Sequence, residues 1–172
     1  MAQKKSDSSE PAKQKVEGKE NRLAFPVIGL GASAGGLEAL ERFFEAVSEN
    51  SGAAYVVVAH LDPTHISLMP ELLQKHTKIA TVQIKDGMSV ESDHLYIIPP
   101  NCNLSILNGR LQLLELPEKR SSNLPIDHFF KALAQDRGSS AVAVILSGTG
   151  SDGTLGIKAI KAECGLVTGQ SH

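Results

Sequence analysis

The sequence predicts an α/β fold: a doubly wound, mainly parallel sheet with helices on both faces and an added β-hairpin. Two patterns carry this expectation. Short continuous apolar runs such as YVVVA and AVAVILS alternate with amphipathic stretches, as expected of strands buried on both faces by crossover helices. In addition, LSIL and RLQLLEL flank Asn108-Gly109, a dipeptide whose residues tolerate the positive φ angles of a type I′ turn.

The elements follow in chain order. A first strand over about Phe25 to Leu30 feeds the turn GLGASAGG, Gly29 to Gly36. Next comes LEALERFFEAVSEN, whose Leu37, Leu40, Phe43, Phe44 and Val47 share one helical face. Tyr55 to Ala59 is a second buried strand, followed at His60 by the loop LDPTH and a helix through LMPELLQKHT. Thr81 to Ile84 is a third strand, and HLYIIPP a fourth that Pro99 and Pro100 end. The hairpin and a polar linker, PEKRSSN, then lead into LPIDHFFKALAQDRG, with Pro125 placed to start a helix and Gly138 to end it. Ala141 to Ser147 is a buried strand, GTGSDGTLG a loop, GIKAIKAEC a helix, and Gly165 to Thr168 the start of another strand.

Two segments make up the 172 residues. Residues 1–22 carry six Lys/Arg against four Asp/Glu and almost no large apolar side chains, so burial cannot offset their ordering entropy. They are expected to be a flexible polar leader, with 23–172 forming one domain. A net charge of -2 and a 4% aromatic content give no basic surface or stacking platform for nucleic acid. No apolar stretch approaches the roughly 20 residues of a membrane span, so no membrane insertion is expected, and with only two cysteines a reducing cytoplasm is the simplest compartment. Cys102 and Cys164 lack the spacing of a zinc site or disulfide framework.

In parallel sheets ligands bind beyond the carboxyl ends of the strands, which here carry GASAGG, AHLDPTH and SGTGSDG. Ser33, His60 and Asp152 stand out, because a serine hydroxyl becomes a nucleophile when an imidazole takes its proton and a carboxylate orients that imidazole. Gly148, Thr149 and Gly150 offer backbone N–H groups to an oxyanion. Taken singly, each residue has a plainer role. Ser33 can cap the helix starting at Gly35 or Gly36, His60 can be an ordinary hydrogen-bonded histidine, and Asp152 can be an N-cap or turn residue.

A second functional reading competes. Gly29, Gly31 and Ala34 fit G-x-G-x-x-A, and Asp62 stands past the second strand where a nucleotide-binding domain places its ribose-binding acid. That reading leaves SGTGSDG without a task. A metal site at His60, Asp62 and His65 matches no motif, and Pro63 favours a plain loop there. His76, His94 and His128 have no supporting cluster in the sequence.

Together, VIGLGASAGG, VVVAHLDPTHISLMPELL, DHLYIIPPN, LPIDHFFKALA and VILSGTGSDGTLGIKAI resemble the catalytic domain of CheB-type chemotaxis protein-glutamate methylesterases over about Phe25 to Val167. More narrowly, they look like the methylesterase domain of hybrids that join a methylesterase to a receptor methyltransferase. The resemblance implies a cytoplasmic serine hydrolase of chemotaxis signalling that needs no metal or organic cofactor. It would remove methyl groups from glutamate methyl esters in chemoreceptor or sensor helices and deamidate glutamine. Ser33 is then the nucleophile, His60 the general base and later acid, and Asp152 the residue orienting His60. The backbone N–H groups of Ala34, Thr149 and Gly150 face the oxyanion. Relatives commonly carry Gln where Ala59 stands and Met where Thr149 stands. They also continue past the strand beginning GLV, where this chain has VTGQSH. The chain is therefore expected to be cut short, leaving apolar surface exposed at Ile157, Ile160 and Val167.

Overall fold

In the computed structural model the described residues are 23–33, 35–59, 63–116, 123–146 and 151–169. Strands β1 (Val27–Ala32), β2 (Ala54–Ala59), β3 (Ala80–Gln83), β4 (His94–Ile97), β7 (Ala141–Leu146) and β8 (Leu166–Gly169) form one sheet in the order β3-β4-β2-β1-β7-β8. Every neighbouring pair in it is parallel. β5 (Cys102–Leu107) and β6 (Arg110–Glu115) form a separate antiparallel hairpin. Asn108 and Gly109 turn it at φ 51° and 71°, and the Asp136 carboxylate accepts both of their N–H groups. The expected fold class is the observed one.

Alternate residues of the central strands face two cores. Leu30, Tyr55, Val57, Leu95 and Val144 pack with Leu40 and Phe44 of α1 (Gly36–Glu45) and with Met69 and Leu73 of α2 (Pro63–Gln74). Removing each such large side chain from water is worth about 1.5–3 kcal/mol. On the opposite face Val27, Val56, Val58 and Ala143 pack with Phe129, Phe130 and Leu133 of α3 (Pro125–Arg137), with Ile160 of α4 (Thr154–Ala162), and with Leu104, Ile106 and Leu111 of the hairpin.

Small residues set how closely α3 lies on the sheet. A Cβ at Gly29 would sit 2.9 Å from a Phe130 ring carbon and 3.1 Å from Phe129 and Leu133; one at Gly31 would sit 2.7 Å from Ile126 Cγ2. Gly29 and Gly31 therefore lie inside β1 and make room for α3, instead of forming the turn that the sequence pattern suggested. β1 accordingly runs two residues further than expected and ends directly before Ser33. Gly156 does the same between α3 and α4: its Cβ would meet Phe130 Cβ at 2.5 Å and Asp127 Cα at 3.2 Å.

Other boundaries move for local reasons. α2 begins at Pro63, so Thr64 and His65 are helical where a loop was expected; proline suits a first helical position, which lends no N–H to the ladder. α4 starts at Thr154, two residues before the expected Gly156, because Gly153 at φ 100° supplies the sharp entry. The apolar surface expected at the C-terminal end is mostly covered. Ile160 is fully buried, and Ile157 and Val167 are half-buried against the α3-side core, whereas Leu166 on β8 is 69% exposed. Among the described residues no helix is long and apolar enough to cross a membrane.

Two outcomes test this packing. Gly156→Ala should destabilise the domain by about 1–3 kcal/mol, read as a lower urea midpoint at unchanged slope, because the added methyl has no space between two packed helices. Iodoacetamide should modify exposed Cys164 well before Cys102, whose thiol is pushed up in pKa by burial and by the nearby Glu115 charge. Mass spectrometry of the two peptides would show a Cys102-first order if the burial is wrong.

Candidate active site

β1 sits between β2 and β7, and the three strands end level: Ala32 pairs with Ala59 on one side and Leu146 on the other. Neighbouring strands are about 4.8 Å apart. The three carboxyl ends therefore lie side by side, at the end of the sheet where open parallel sheets usually bind ligands. Ser33 is half-buried at the end of β1. His60, Asp62, Ala34, Gly148, Thr149 and Gly150 lie outside the described residues, as does the side chain of His65.

Ser33 does not occupy the capping position expected for it. Gly35, at φ 88°, is the N-cap residue of α1, and the Ser33 carbonyl accepts the Gly36 N–H at 2.8 Å. Gly35 is the glycine that this turn requires, since that φ is costly for residues with a Cβ.

Asp152 lies in the turn before α4, as one of its plainer readings allows. It is not the N-cap of its own helix; that residue is Gly153, which offers no side chain. Instead, the Asp152 carboxylate accepts the N–H of Ile126 at Oδ2 (3.1 Å) and of Asp127 at Oδ1 (2.9 Å). These are the second and third residues of α3, whose N-cap position holds Leu124 and whose first residue is Pro125. Leucine brings no acceptor and proline no donor, so Asp152 caps α3 from a distance of about 25 residues in sequence. The Asp152 carboxyl group thus lies at the N-terminal, positive end of the α3 dipole.

Two side chains tie the loop of Asp152 to the strand of Ser33. The Cβ positions of Gly31 and Gly153 would each fall within 3.2 Å of Ile126 and within 3.0 Å of Ile145. Gly31 precedes Ser33 by two residues and Gly153 follows Asp152 by one, so both functional candidates stand on backbone packed against the same isoleucine pair.

The remaining histidines among the described residues whose side chains are placed lie elsewhere. His76 Nδ1 lies 2.7 Å from Glu45, joining the C-terminal ends of α2 and α1 at the far edge of the sheet, a partner that the sequence did not reveal. His94 bonds the Ser92 carbonyl and stacks on Tyr96; His128 is exposed. Among the described residues no group of three or more His, Cys, Asp or Glu side chains is arranged to hold a metal ion.

A family model described as CheB methylesterase matches residues 28–172. The chain belongs to the CheB methylesterase family. Its fold is similar to the crystal structure of the Thermotoga maritima CheB methylesterase catalytic domain, with a TM-score of 0.75 and 27% identity over 84% of this chain and 79% of that one. A protein-glutamate methylesterase/protein-glutamine glutaminase of Methanosarcina acetivorans is 28% identical over 95% of this chain and 50% of its own length. Another of that name, from Burkholderia lata, is 32% identical over 80% of this chain and 41% of its own. A 104.1 kDa protein of Rhodobacter capsulatus is 44% identical over 102 residues, 59% of this chain and 11% of its own length. The chain thus spans half or less of the length of these relatives. Family membership, together with α3 side chains filling the space over Gly29 and Gly31, disfavours the nucleotide-binding alternative.

Removing the Asp152 carboxylate should uncap α3. Asp152→Ala is expected to cost about 0.5–2 kcal/mol of stability in urea denaturation, and Asp152→Asn less, since its amide oxygen can still accept one N–H. Equal stability of all three proteins would contradict the bonds at Ile126 and Asp127.

Proposed function

We propose that this domain is a serine hydrolase that removes methyl groups from protein glutamate methyl esters and deamidates protein glutamine. The observation that supports the proposal is the level ending of β1, β2 and β7, since in the sequence Ser33 follows β1, His60 follows β2 and Asp152 lies shortly after β7. The names of the curated relatives support the substrate class.

In the proposed reaction His60 takes the Ser33 proton as Oγ attacks the γ-carbonyl of the glutamate ester. The tetrahedral oxyanion is held by backbone N–H groups of Ala34, Thr149 and Gly150. The C–O bond to the methoxy group then breaks, His60 returns the proton, and methanol leaves. Water, deprotonated by His60, attacks the acyl-serine ester, releasing the glutamate carboxylate and restoring Ser33. Asp152 holds the His60 tautomer and stabilises its imidazolium. The same sequence on a glutamine side chain releases ammonia.

The proposed substrates are methylated helices of chemoreceptors or similar sensors, met in the cytoplasm, with a fused methyltransferase domain in a longer protein supplying the opposing reaction. The similarity to a 104.1 kDa relative is consistent with a domain of this kind inside a long chain.

Ser33→Ala should reduce methanol release from a methylated receptor peptide by at least about 10³-fold, with little change in thermal unfolding. Turnover that survives the substitution would rule out Ser33 as the nucleophile.

A further inference from the structure

Asp152 is only one half of a reciprocal arrangement. While it caps α3, the first turn of α3 returns a carboxylate to α4: Asp127 Oδ1 accepts the Gly156 N–H at 2.6 Å. Gly156 is the third residue of α4, and Gly153 at the N-cap provides no acceptor for it. Each helix therefore receives its cap from the segment that opens the other. Asp127 is 2% exposed, and its Oδ2 is buried without a hydrogen-bond partner among the described residues. A buried carboxylate is costly unless hydrogen bonds compensate it, so the bond to Gly156 matters.

The bond is possible because Gly156 allows the two helices to meet almost backbone to backbone, 3.2 Å from its Cβ position to Asp127 Cα. Only three residues separate Asp152 from Gly156, so fixing Gly156 fixes the turn 151–154 on which Asp152 stands. The closed loop is Asp152 carboxylate, Asp127 N–H, Asp127 carboxylate, Gly156 N–H, and back along the chain to Asp152.

We infer that Asp127 is a positioning residue for the hydrolytic reaction: by capping α4 through Gly156 it sets where the Asp152 carboxylate stands, and thus the orientation of His60. The inference rests on the function proposed above. A displacement of about 1 Å in a catalytic array costs on the order of 10²-fold in rate. Asp127→Ala should therefore lower kcat by about 10–100-fold with KM within about twofold. It should also speed exchange of the Ile126 and residue-127 amide hydrogens, which Asp152 holds, by more than about tenfold. Asp127→Asn keeps an acceptor oxygen for Gly156 and should stay within about threefold of the wild-type kcat. It serves if the alanine variant does not fold.

Asp136→Ala is the control, because it removes the acceptor of the hairpin turn's N–H groups at the other end of α3 and should lower stability without moving kcat or these amides. Wild-type exchange at Ile126 in Asp127→Ala would overturn the inference, as would accelerated exchange with unchanged kcat, or an asparagine variant slowed by more than about tenfold. Wild-type protein whose turnover does not depend on Ser33 would instead defeat the proposed function. The exchange measurement would still decide whether Asp127 holds Asp152.

Discussion

The close seating of α3 on the centre of the sheet is the contact from which the geometry of the crevice follows. Gly29 and Gly31 leave bare backbone on one face of β1, and Phe129, Phe130, Leu133 and Ile126 fill that space. A helix held this near to β1 brings its N-terminal N–H groups to the same sheet edge at which β1 ends. Those N–H groups need an acceptor, and the sequence at the helix start, Leu124-Pro125, has none to give. The acceptor comes from the loop after β7, so helix packing, helix capping and the placement of the Asp152 carboxylate are one problem with one solution.

This coupling reconciles two readings that compete for Asp152. A carboxylate has several acceptor sites, so accepting two backbone N–H groups leaves lone pairs for an imidazole. The cap then helps the proposed catalysis, because it fixes the position of the carboxylate. The same economy marks the turn after β1, where Gly35 takes the conformational burden and the helix cap. The α1 and α2 face, by contrast, is conventional packing, joined at its far edge by His76 and Glu45.

The elements with local causes were legible in the sequence. The Asn108-Gly109 turn and the Pro125-to-Gly138 helix need only residues within a few positions of one another, and both stand within a residue of expectation. The strand cores were also legible, because both-face burial forces continuous apolar runs. The errors came where local signals were shared. G-x-G reads alike for a phosphate turn, a nucleophile turn and a strand that must accept a helix; distinguishing them requires knowing what lies above the glycines. The alternation of elements points to Ser33, Asp152 and the strand ends as candidates, whereas the residues joining them, Asp127, Ile126 and Ile145, carry no such signal. Asp127 reads in sequence as an ordinary first-turn acid of a helix. Its partner is 29 residues away, and no periodicity encodes that distance.

By itself, then, the sequence determined the α/β class, the positions of the strands, the hairpin turn and the family, because these follow from hydrophobic periodicity, backbone preferences and contiguous motifs. Only the tertiary structure decided the purpose of Gly29 and Gly31 and the partners of Asp152 and Asp127. Close approach and long-range hydrogen bonding depend on which segments the fold brings together, and that is a property of the packed chain, absent from any stretch of it.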